Sequence, residues 1–454
     1  MSILIQLVII ILGLLIFILP MKHKLALLVF SFICLDAVQI SFGKFKSPEN
    51  LFCLFFFLSE IPRMIGDIKK LRGTIIFKLM VMMLIASFVL LLFSPHYHKV
   101  TGPVWIFLKE MVFKYFALAY GYVSIHRSND FKPVMKTVFV GMLLLTFIGM
   151  INWMTKSSPW LSFVQPEGLG GGDYREFSLA DRFRVQSMFL NPFCYGYVCL
   201  VCFLVYLYSY KKRMVSKMYF AIVALCSIFG IFSCGCRTLW LLFVMVLLLY
   251  YSILLKKKQF FKTGLLSIAV MISIWMFLPE QVKIEFMDKM SQAFTTDTNV
   301  VASGGSSVGM RLVQFAAVLN HVQGHYLFGL GKDYFLIDMG WGEGGLDTVV
   351  DEDLWGLEGI YMGLLLERGI VGLMFWVVFC FLILFFFYKI KIEYKDEASL
   401  GISLIMAYML FSCMTGELNS AFPTFLLLGV IMRISILNQQ FMLTNNQRSI
   451  KYEI

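Results

Sequence analysis

Apolar runs of about 17–25 residues recur along the chain, and each is long enough to cross roughly 30 Å of hydrocarbon at 1.5 Å per residue. The pattern predicts spans near 3–20, 25–42, 50–66, 75–94, 103–125, 134–154, 188–210, 218–234, 238–255, 263–279, 360–387, 399–414 and 422–438. The expected fold is an all-α polytopic membrane protein of about 12–13 transmembrane helices with no lipid-facing sheet, because an open strand edge cannot be satisfied in hydrocarbon. Two polar stretches are too long for simple turns. They divide the chain into N-terminal helices (1–154), a first loop (155–187), central helices (188–279), a large loop (280–358), and C-terminal helices with a tail (359–454). The large loop is partly helical, since Met310–Asn320 has the spacing of an amphipathic helix opening at Arg311.

Composition sharpens this picture. The chain is 59% hydrophobic and 15% charged, with a mean hydropathy of +0.80. That excludes a water-soluble globule and a disordered chain. The net charge of +11 points to membrane insertion and not to nucleic acid, because Lys and Arg bunch in short loops between apolar runs. Four such clusters fall on one side, which is therefore read as cytoplasmic: Arg63 to Lys78, Lys211 to Lys217, Lys256 to Lys262, and Lys389 to Lys395. The C-terminus after Arg433 joins them, while Lys44 and Lys46 violate the rule. Both long loops then lie outside. Over 280–357 of the larger one acids outnumber bases eleven to four, opposite in sign to the chain, and insertion rules do not account for that. All ten cysteines lie in or beside apolar runs and read as buried free thiols. His321 and His325 share a helical face but lack a third ligand, so no metal and no cofactor is expected.

The candidate chemistry begins with arginine on the non-cytoplasmic side. Arg182 and Arg184 precede a span, Arg237 sits at a tight turn between two, and Arg311 opens the loop helix. Guanidinium forks bind phosphate bidentately, so a convergent set would clamp pyrophosphate; an isolated Arg also pairs with lipid phosphate or a local carboxylate. Lys109, Glu110 and Lys114 lie within one span, where they line a cavity or snorkel. Gly168–Asp173 and the glycines at 342, 344 and 345 read as flexible loop.

Four segments in order carry a resemblance. Arg184 is followed by Asn191-Pro192, Cys236-Arg237 stands at the outer turn, Arg311 precedes Phe328-Gly-Leu-Gly331, and Glu358-Gly-Ile-Tyr-Met-Gly-Leu-Leu-Leu-Glu-Arg-Gly-Ile-Val-Gly372 closes the loop. Together, over residues 180–375, they resemble the bacterial O-antigen polymerase and O-antigen ligase superfamily. The chain departs from it in having Glu358-Gly359 where ligases have His-Asn, which tilts the reading toward polymerase. It also lacks a proline before Phe328.

The resemblance implies a multi-pass inner-membrane glycosyltransferase of the metal-independent, GT-C-like kind, with its site facing the periplasm. It would act on undecaprenyl-pyrophosphate-linked oligosaccharide among membrane lipids and work with a chain-length regulator in lipopolysaccharide-type biosynthesis. Arg182, Arg184, Arg237 and Arg311 would hold the pyrophosphate, Arg311 and Glu358 would be catalytic, and Asn191, Lys109 and Tyr361 would line the cavity. Glu358 equally reads as an acid complementing a helix N-terminus. A ligase acting on lipid A-core is the close alternative. A transporter or flippase of lipid-linked sugars is the distant one, and it predicts midplane charges and internal repeats that the sequence does not display.

Overall fold

The computed structural model describes residues 3–38, 48–66, 73–93, 111–164, 184–255, 308–331, 359–415 and 421–452, with single positions at 259, 280, 283, 284, 334, 354 and 357. The expected span at 263–279 lies outside the described residues, as does most of the large loop. Every regular element among the described residues is helical. In chain order they are α1 (Ile3–Leu14), α2 (Met21–Cys34), α3 (Pro48–Gly66), α4 (Ile75–Leu92), α5 (Phe116–Val123), α6 (Lys132–Thr155), α7 (Pro159–Val164), α8 (Pro192–Lys211), α9 (Lys217–Ser233), α10 (Arg237–Leu254), α11 (Val308–His321), α12 (Ile360–Ile390), α13 (Lys395–Thr415) and α14 (Ala421–Tyr452). Among the described residues five of them, α6, α8, α10, α12 and α13, are long and apolar enough to cross a membrane.

Several elements differ from the sequence expectation. The run at 25–42 stops being helical at Cys34, because the next turn makes tertiary bonds instead: Ala37 N–H donates to the Met188 carbonyl and Leu190 N–H to the Asp36 carboxylate. The span expected at 103–125 contains a π-helical turn, Met111–Tyr115, ahead of α5. The last helix continues to Tyr452, well past the apolar run that ends near 438.

Contacts along α8 and α13 give their relative direction. Tyr197 of α8 stacks on Phe411 of α13 at 4.4 Å, and farther along Tyr208 donates to Glu397 at 3.2 Å, so the two helices run antiparallel. This defines two ends of the bundle. At the lysine end, Lys212 bridges Asp396 at 3.1 Å and Glu397 at 3.0 Å. The opposite end carries Arg184 and Arg237. Inside the bundle Lys24 of α2 meets Glu60 of α3 at 2.7 Å, a buried pair whose charges compensate each other.

Two backbone features shape the frame. The first is the crossing of α5 and α14, where Gly121 lies against the Leu426 carbonyl and Gly429 against the Leu118 carbonyl, so that a Cβ at either position would meet main chain. Small residues let helix backbones approach in this way in an apolar medium. Arg433 donates to the Ile125 carbonyl at 3.1 Å farther along, which makes the pair parallel.

The second is a break in α12 at Gly369, with φ 64° and ψ −165°. The part after the break, about 30 Å long at 1.5 Å per residue, is long enough to cross a bilayer core by itself. Backbone groups freed at the break are satisfied by the Tyr326–Gly331 segment: Leu330 and Gly331 N–H donate to the Leu366 and Glu367 carbonyls, and Ile370 and Val371 N–H donate to those of Tyr326 and Leu327, at 2.8–3.1 Å. Irregular backbone at membrane depth is tolerated only where protein buries it.

The part before the break packs with α11 around a small separate core of Val318, Val322, Leu330, Met362 and Leu366. Gly369 occupies a region of backbone space essentially confined to glycine, so Gly369→Ala is expected to cost about 1–3 kcal/mol from strain. The clash of its Cβ with Leu327 main chain adds to that. Thermal unfolding of the purified protein checks this, and an unchanged melting temperature would mean the break is not held by these bonds.

Candidate functional site

The site is best built outward from the start of α8. Asn191 is the helix cap, its side chain accepting from Phe193 N–H at 2.7 Å, and Pro192 occupies the first helical position. The preceding segment is pinned by main chain and side chain: Val185 N–H donates to the Ser233 carbonyl at 3.0 Å, and the Ser187 hydroxyl donates to the Leu145 carbonyl at 2.6 Å. These bonds lay Arg184 against the turn that follows α9. A Cβ on Gly235, which has φ 67°, would come within 3.0 Å of the Arg184 Cγ. The Arg184 guanidinium sits over the Phe193 ring at 5.1 Å. Two residues beyond Gly235, Arg237 opens α10, where the helix dipole adds positive potential.

Packing sets the level of these groups against α13. Gly196 of α8 lies against Leu239 of α10, and the next residue, Tyr197, stacks on Phe411. Near the other end Ser399 of α13 donates to the Tyr250 carbonyl of α10 at 2.7 Å. Arg237 therefore stands beside the last turn of α13. At that turn Arg311 of α11 donates to the Met414 carbonyl at 2.9 Å. Its charge acts on the Tyr361 phenol, and Gly359 faces the Cys413 carbonyl. Arg184, Arg237 and Arg311 thus occupy the same end of the bundle, each placed by a different element. Half-buried guanidinium groups at the rim of an apolar bundle form an environment suited to a phosphate-bearing amphiphile.

Other sequence candidates are placed elsewhere or lie outside the described residues. Asn191 has a structural job as the cap of α8. Arg182, Lys109, Glu110 and Glu358 lie outside the described residues, as do the glycine-rich stretches at 168–173 and 342–345. Lys114 is half-buried with its ammonium turned into the bundle, 4.8 Å over the Tyr115 ring and near Cys380, midway along the second part of α12. An ionisable side chain therefore lies inside the bundle. His321 lies 3.4 Å from the Tyr334 hydroxyl, and no group of three metal-ligating side chains occurs among the described residues. All ten cysteines are free.

Sequence reasoning passed over three groups. Arg368, 7% exposed, sits at the α12 break with its stem against Gly372. A charged Glu367-Arg368-Gly369 triplet interrupting an apolar run was the signal that could have found it. Asp36 and Glu49 meet near the start of α8 although a whole connecting segment separates them, and no local pattern announces that contact. A cavity of about 30 Å³ between α2, α6, α8 and α14 is lined by apolar side chains such as Phe32, Val201 and Leu426, and belongs to packing.

Compared with known proteins, the chain matches no family model and no curated protein.

Proposed function

We propose that this helical, membrane-spanning chain is a glycosyltransferase of the bacterial polysaccharide-polymerase type, with its site on the periplasmic side of the inner membrane. The observation that carries the reading is the placement of Arg184, Arg237 and Arg311 at one end of the bundle, around the last turn of α13. The proposed donor is a glycan on undecaprenyl pyrophosphate, and the acceptor is a hydroxyl of another lipid-linked repeat unit.

In the proposed step the acceptor oxygen bonds to the donor's anomeric carbon while the bond from that carbon to the pyrophosphate oxygen breaks. The acceptor proton passes to Glu358, and the arginines stabilise charge gathering on the departing pyrophosphate. Preorganised cations at such a leaving group are among the largest contributions an enzyme makes. Arg182 would extend the clamp, Lys109 and Tyr361 would line the cavity, and a chain-length regulator would be a partner.

Two other readings keep specific support. A ligase would use the same arginines and differ in its acceptor, lipid A-core. A flippase of lipid-linked sugars is favoured by Lys114, since an ionisable residue inside a membrane bundle marks a transport path in many pumps and carriers. Deleting the gene, resolving the surface glycan by gel electrophoresis and locating the lipid-linked intermediates separates all three. Loss of a polymerase leaves single repeat units on the core, loss of a ligase leaves none there while lipid-linked polymer accumulates, and loss of a flippase leaves lipid-linked units stranded on the cytoplasmic leaflet. Normal long chains in the deletion strain would refute the proposal.

A further inference from the structure

A second ionisable group of residues borders the α8 N-terminus from the other side. Asp36 follows the end of α2 and Glu49 lies in the first turn of α3, before its apolar run, and both are buried at 9% and 5% exposure. The Asp36 carboxyl accepts from Leu190 N–H at 3.1 Å, immediately before the Asn191 cap. Ala37 N–H donates to the Met188 carbonyl at 3.2 Å, so the two segments hold each other through side chain and main chain. The Asp36 and Glu49 carboxyls also lie against each other within reach of a hydrogen bond, and such a bond requires a proton between them. That proton joins the end of α2, the start of α3 and the segment that carries Arg184.

We propose that the Asp36–Glu49 pair is a proton-locked latch, which clamps the Arg184-bearing segment to α2 and α3 when protonated and releases it when deprotonated. The neutral pair is satisfied in place, with an acceptor left for Leu190 N–H, whereas two buried carboxylates in contact repel each other and lose their hydration. Burial raises Asp36 to about 6, against the lowering effect of the Leu190 and Glu49 bonds. Burial, and then the Asp36 charge, raise Glu49 well above the usual range.

The other ionisable groups nearby are few. Cys53 sits one turn along α3, Tyr120 of α5 stands beside Cys53, and Cys34 ends α2. Arg184 turns to Phe193, α6 offers Asn152 opposite Ser187, and Lys156 lies over Trp153. Lys44 and Lys46 lie outside the described residues. Among the described residues no cation forms an ion pair with either carboxyl.

The sign follows from linkage. Both acids bind protons more tightly in the closed latch than when exposed, so closure is fully favoured below their exposed values and is lost as pH rises through about 6 and then through the Glu49 titration. Hydrogen–deuterium exchange of the 184–191 peptide in the purified full chain tests this from pH 5 to 8, after correction for intrinsic exchange. Protection is expected to fall with rising pH by about tenfold per unit for each proton lost on opening. Glu49→Gln, which still donates to Asp36, should flatten the dependence above about pH 6.5. A flat profile in the wild type, or an unchanged slope in Glu49→Gln, would overturn the latch. The wild-type profile decides alone if the variant does not fold, and neither result depends on the glycosyltransferase reading.

Discussion

Glu358→Gln is expected to abolish long glycan chains while leaving single repeat units attached to the lipid. Gln keeps the shape of the side chain and removes its basicity, and loss of a positioned general base costs about 10²–10⁴ in rate. Glu358→Asp, shorter by one methylene, should retain part of the activity. Glu358 itself lies outside the described residues, but it directly precedes Gly359, which faces the Cys413 carbonyl one residue before the Met414 carbonyl that Arg311 engages. The competing role is electrostatic: an acid just before Ile360, the first residue of α12, stabilises that helix by about 0.3–1 kcal/mol. Chain-length profiles on gels, read beside protein levels in the membrane, separate the two. Wild-type chain length in Glu358→Gln would leave helix stabilisation as the better account and transfer without a side-chain base.

Arg311→Lys should lower polymer synthesis by about 10²–10³, the range seen on removing one preorganised donor at a developing charge. An ammonium keeps the positive charge beside the last turn of α13, so any benefit to that helix's C-terminal carbonyls is largely retained. It cannot bond to the Met414 carbonyl and also present a planar fork to phosphate. Activity should therefore collapse while the melting temperature moves little. Arg311→Ala would remove both functions and should lower both readouts. Full polymer length in Arg311→Lys at normal expression would reduce Arg311 to a helix-terminal charge.

The helical class was legible because apolar runs of spanning length leave few alternatives, and the loop helix was legible because Arg311, Gln314 and Asn320 punctuate an apolar stripe. The early end of α2 was not. Hydropathy carries the apolar run on to 42, whereas bonds to Met188 and Leu190, some 150 residues away in sequence, decide where the helix stops. The break in α12 was equally hidden, since one glycine among apolar residues reads as continuous helix until the Tyr326–Gly331 backbone is found against it. Within the site, Arg184, Arg237 and Arg311 stood out as cations on the side that insertion rules disfavour. Asn191 adds a local role that its motif position also predicts, its amide oxygen capping α8 through Phe193 N–H. Lys114 was seen, but its depth depends on which face of a π-helical turn meets α12.

The close crossing of α5 and α14 has a consequence for how the chain is made. Gly121 and Gly429 are separated by some 300 residues, and a ribosome adding about 5–20 residues per second needs roughly 15–60 s to travel between them. Throughout that interval the α5 face that will receive Gly429 has no final partner. Chains cut short before α14 should accordingly be prey to membrane quality control instead of accumulating as partly active bundles. Co-expressing the missing helix as a separate peptide should rescue them, provided its glycine is intact.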